Sequence, residues 1–206
     1  MSNQPVIDSV NEPTNPFGLP LGSVRGLMSL LICGFFWIVL LWPDEMGVRP
    51  LLGHFFMLAL VLMAFASAPA AYKDGETSRL IPWVLRFLFV GGSIAVVLFC
   101  MFQHPDRLQT RLTPNVEEFK NWWGPFLATT FGGFAGGLFL RFVLGRSNPI
   151  FQTIRAWLSV VALMMMVTEI GLFVMFTTAE NKPDEFMRYW QAIELALVSA
   201  YFGTRA

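Results

Sequence analysis

Charge is what this sequence has least of. Aspartate, glutamate, lysine and arginine make up 14% of its 206 residues while 55% are hydrophobic, against a charged share of about 25% in ordinary soluble domains. That balance excludes a water-soluble globule and makes the bilayer the expected solvent. Cysteine is scarce too: Cys33 and Cys100 both lie in apolar runs, which excludes a disulfide framework and reads as small packing residues. The formal net charge is zero, so nothing suggests a nucleic-acid partner. Catalytic groupings are also missing. His54 and His104 stand apart in sequence, with no His-Glu-x-x-His, Ser-His-Asp or metal-ligand spacing around them. A non-enzymatic protein is expected, without metal or cofactor. The first 22 residues lack a basic region ahead of an apolar core and do not read as a secretory signal. Pro5, Pro13, Pro16 and Pro20 make residues 1-22 a flexible polar tail ahead of a transmembrane bundle at 23-206.

Apolar runs are what the chain has in plenty. At about 20 residues per crossing, six spans are expected. They run from Val24 to Trp42, His54 to Tyr72, Pro82 to Phe102, Trp122 to Leu144, Ala156 to Thr178 and Asp184 to Thr204. The fold class is therefore an all-α polytopic integral membrane protein, a bundle of six transmembrane helices. The alternative is five spans plus an interfacial C-terminal helix, because Arg188, Gln191 and Glu194 recur along the last segment as on an amphipathic helix. The connection Gln103 to Lys120 is polar, with a short surface helix expected from Asn115 to Lys120. Arg25, Lys73, Arg79, Arg86, Arg141, Arg146, Arg155 and Arg205 fall on the side of the two termini. The positive-inside rule then puts both termini in the cytoplasm, most naturally of a bacterial plasma membrane.

Small residues concentrate between Ala128 and Gly137. On a helix Ala128, Gly132 and Gly136 stack in one column and Thr129, Gly133 and Gly137 in the next, a nearly bare strip about 14 Å long. In lipid such strips let helices touch backbone to backbone. The segment reads as the central helix of the bundle, and as a surface for a second copy or a membrane-protein partner. A subunit or scaffold that associates through this helix is the first functional expectation.

The second expectation comes from polar groups at depth. Counting about 1.5 Å per residue from the middle of each span, Glu169, Gln191 and Glu194 fall in one layer with Thr129 and Thr130. A charge in hydrocarbon costs at least about 2.5 to 3.5 kcal/mol, so an intramembrane carboxyl is a functional candidate by default. Arg86 and Arg141 lie roughly 10 Å or more toward the inner side, and the sequence offers no cation in register. An ion or proton site built from Glu169, Glu194, Gln191, Thr129 and Thr130 would make the protein a small cation or proton channel or transporter.

Overall fold

The computed structural model describes residues 23–43, 50–66, 80–145, 147–178 and 185–205. Among them are seven helices and no strand: α1 (Ser23–Leu41), α2 (Leu52–Ala66), α3 (Leu80–Gln103), α4 (Pro105–Arg111), α5 (Val116–Leu144), α6 (Pro149–Thr178) and α7 (Glu185–Arg205). Four of them, α1, α3, α5 and α6, are long and apolar enough to cross a bilayer. The tail at 1–22 and the connections around Pro69 and Lys73 fall outside the described residues.

Apolar side chains face outward and polar ones inward, as expected where the surrounding solvent is lipid. On α3, Trp83, Phe87, Ile94 and Phe102 are exposed, as are Phe131, Phe139 and Phe142 on α5. In water an apolar surface of that extent would be an aggregation site. The buried set includes His54, Glu169, Gln191 and Glu194. The fold is that of a helical membrane protein.

Contacts fix the helix directions. Gly26 lies against Leu85 and Gly92 against Trp37, and the Trp37 indole donates to Ser93 Oγ at 3.1 Å, so α1 and α3 run parallel. Trp122 meets Tyr189, while Gly133 and Gly137 meet the backbone at Ala196 and Ala200, so α5 and α7 run parallel as well. Arg25 sits over the Phe202 ring, which sets α1 against the direction of α7.

Two elements differ from the sequence reading at their ends. The polar stretch from Asn115 to Lys120 is no separate helix but the start of α5, because Asn115 caps it by accepting from the Glu117 amide and Glu117 and Glu118 suit its positive end. Likewise α6 begins at Pro149 rather than Ala156. Asn148 Oδ1 accepts from the Ile150 amide at 2.9 Å, and proline is suited to a first helical position.

The largest correction concerns the centre. The glycine-bearing helix α5 is peripheral, with only Glu118, Phe126 and Gly137 buried. Its neighbour α7 is the enclosed one of the pair, burying Met187, Gln191, Leu195, Val198, Tyr201 and Phe202, among others. It packs on α2, α5 and α6. Of the two small-residue columns, one is closed. A Cβ at Gly133 or Gly137 would overlap the carbonyl oxygen of Ala196 or Ala200 on α7, so only glycine allows this approach. Gly132 and Gly136 in the other column, by contrast, have open space where a Cβ would sit, and Ala128 is exposed.

Two charged residues of the stretch from Gln103 to Lys120 serve as caps. Arg111, on α4, donates to the carbonyls of Val39, Trp42 and Pro43 at 2.6, 2.7 and 3.2 Å, covering the carbonyl end of α1 that no helical amide can reach. Glu118 accepts from the Leu52 amide at 3.3 Å, covering the amide end of α2.

Candidate functional site

Four polar side chains from three helices meet where α2 begins. His54 comes from the first turn of α2, Glu169 from α6, and Gln191 and Glu194 from α7; all are 3% exposed or less. Gln191 and Glu194 are three residues apart and therefore share a helix face. Both Gln191 and Phe35 lie six residues from the near ends of α7 and α1, which places the cluster about 9 Å inside those ends.

Hydrogen bonding sets the orientation of each group. Gln191 Nε2 donates to Glu169 Oε1 at 2.7 Å. A carboxylate oxygen there requires a donor, which fixes the amide with nitrogen toward Glu169. The same Nε2 lies 2.9 Å from His54 Nδ1, so its second hydrogen serves the imidazole. His54 Nε2 lies 3.4 Å from Glu169 Oε1, near enough for electrostatic attraction. The imidazole also stacks on Phe35, with ring centres 3.7 Å apart and planes 4° from parallel. Gly53 is needed beside it, because a Cβ there would lie 2.8 Å from Gln191 Oε1.

Glu194 is the exception to this bonding. It is fully buried, and the Glu169 carboxyl and Trp190 indole come close enough to interact with it. None of these approaches meets hydrogen-bond geometry, so both of its oxygens remain without a bond. A cavity of about 10 Å³ lies between it, Glu169 and His54, walled by Leu31, Phe35, Met57 and Met166. That is room for one water-sized species. Leu31 and Ile170 separate this cavity from an apolar groove of about 760 Å³ along α1, α3 and α6.

Glu169, Gln191 and Glu194 thus come together, but Thr129 and Thr130 do not join them. Both hydroxyls donate to the Phe126 carbonyl of their own helix, at 3.0 and 2.6 Å, as threonines in apolar helices commonly do. His54 is the residue the sequence reading missed, since it counted as isolated at the outer edge of a full-length span. The structure opens α2 at Leu52, so His54 stands in its first turn, and nothing local in the sequence tells how deep that turn lies.

Among the described residues no three histidine, cysteine or acidic side chains converge as a metal-ligand set. The arrangement suits proton exchange, with two carboxyls, one imidazole and one amide buried together. No family model matches the chain, and no curated protein or solved structure is significantly similar to it.

Proposed function

We propose that this chain is a non-enzymatic integral membrane protein that binds protons or a small monovalent cation at the Glu169–Glu194 cluster and passes them across the bilayer. The observation that carries the reading is Glu194, fully buried with both oxygens unbonded beside a second carboxyl and a water-sized cavity. A group of that kind costs free energy in an apolar interior, whereas a ligand that meets it repays the cost. In this reading six helices cross a plasma membrane with both termini cytoplasmic, α2 and α7 joining the four long apolar helices as crossings. The arginines at the starts of α1 and α3 and the end of α7 favour that orientation. In a Cys33→Ala/Cys100→Ala background, Ser147→Cys should be shielded from an external thiol reagent and Gln109→Cys should react.

The direct experiment is proton and sodium flux into liposomes carrying the purified protein. Wild type should conduct above empty liposomes, and Glu194→Gln or Glu169→Gln should lose most of that flux. Equal flux in empty liposomes and in all three preparations contradicts the reading.

A second reading, a subunit that associates with a copy of itself or a membrane partner through α5, draws on the open column Ala128, Gly132 and Gly136. Mass measurement in mild detergent distinguishes them: a monomer with flux leaves the first, a complex without flux the second.

A further inference from the structure

One nitrogen in the cluster has two claimants. His54 Nδ1 lies 2.9 Å from Gln191 Nε2, which can only donate, and 3.3 Å from the Leu51 carbonyl, which can only accept. Without a proton on Nδ1 the amide is bonded and the carbonyl faces a lone pair. With one, the carbonyl is bonded and the amide faces an N–H. The two arrangements exclude each other, and the choice between them is the protonation state of a single atom.

We propose that His54 Nδ1 is a proton-binding atom of this site, and that taking up a proton transfers its hydrogen bond from Gln191 on α7 to Leu51 at the head of α2. This rests on the proton reading above and names the ligand and the residue that takes it. Uptake forms one N–H bond and leaves Nε2–H facing Glu169 Oε1 at 3.4 Å, so the new positive charge lies beside a carboxylate. The face of the imidazolium lies on Phe35 at 3.7 Å, a contact that favours a cation. Every element packed around the ring contributes to this balance. Glu169 comes from α6, Glu194 and Gln191 from α7, and Phe35 and Phe36 from α1. Glu118 of α5 lies within electrostatic range of His54 and also of Arg188, a cation on α7.

Release of Nδ1 also frees one hydrogen of the Gln191 amide. That amide bonds Glu169 at 2.7 Å, so the event at His54 is passed to that carboxyl. Gln191 is thus a positioning residue: it reports the state of His54 to Glu169 without exchanging a proton itself.

The test is nitrogen NMR on full-length protein carrying His104→Gln in lipid nanodiscs, with isotopically labelled histidine so that His54 alone reports. At neutral to alkaline pH Nδ1 should give an acceptor-type resonance coupled to the Gln191 amide. On acidification that resonance should be lost and replaced by a donor-type one. At a fixed pH inside the transition, Gln191→Met should increase the protonated population at least twofold and Glu169→Gln should decrease it by a similar factor. His54 locked in one form until the protein unfolds would overturn the proposal, without needing any variant to fold. Flux on the same preparations separates the two readings. A switching His54 without flux supports this proposal and removes transport, whereas flux with a locked His54 removes this proposal and leaves transport standing.

Discussion

Helices α5 and α7 lie parallel and in contact, yet the bundle treats them oppositely. The first carries the glycine strip and a long uncharged run, and it sits at the edge with its phenylalanines facing outward. The second carries Arg188, Gln191 and Glu194, falls short of the apolarity of a simple span, and buries ten of its 21 residues, Gln191 and Glu194 among them. Polarity therefore marks the face that meets protein: Gln191 and Glu194 of α7 are enclosed, while Phe186, Tyr189 and Ile193 of the same helix are exposed. In a bilayer a polar side chain is driven toward other polar groups, whereas leucine loses nothing by facing hydrocarbon.

The sharpest way to break this pairing is to separate the two backbones. Gly137→Leu places a side chain where Ala200 O now sits, and it should destabilise the protein by more than about 4 kcal/mol, or prevent folding, in detergent unfolding experiments. An unchanged midpoint would mean that α5 and α7 do not touch. A smaller effect is expected at the polar layer on α7. Gln191→Leu leaves Glu169 and His54 without their shared donor and should cost about 1 to 3 kcal/mol. Glu194→Leu removes a carboxyl whose oxygens meet no hydrogen-bond geometry, although Glu169 and Trp190 lie close enough to interact with it. It should therefore cost little or even stabilise, while abolishing flux, a division that a structural glutamate would not show. The smallest effect belongs to the open column: Gly136→Leu meets no neighbour and should change stability within about 0.5 kcal/mol. A large loss there would point to a partner covering that face.

What could be read in advance follows the same division. Helical class, the apolar runs behind α1, α3, α5 and α6, and the depth of Glu169, Gln191 and Glu194 are all local, resting on composition and the rise per residue. Which helix faces are enclosed was hidden, because hydropathy cannot tell a residue buried in protein from one facing lipid. The strip of small residues showed that α5 would pack closely but not on what, nor which of its two columns would close. His54 stayed hidden for a related reason: its contacts with Phe35, Glu169 and Gln191 join four helices, and only their stagger brings the head of α2 to that depth. Arg111 and Glu118 looked like headgroup charges, and became caps only once α4 and α5 set them beside the ends of α1 and α2.

The claim at the centre of this account is that Glu194 is an exchangeable proton or cation site rather than a buried structural contact. A hydrophobic carbodiimide, which reaches protonated carboxyls in apolar surroundings, tests it with the protein in liposomes and peptide mapping by mass spectrometry. Modification should map to Glu194, slow as the pH is raised, vanish in Glu194→Gln, and stop flux in step with labelling. Glu194 unmodified at every pH, or modified with flux intact, would contradict the account.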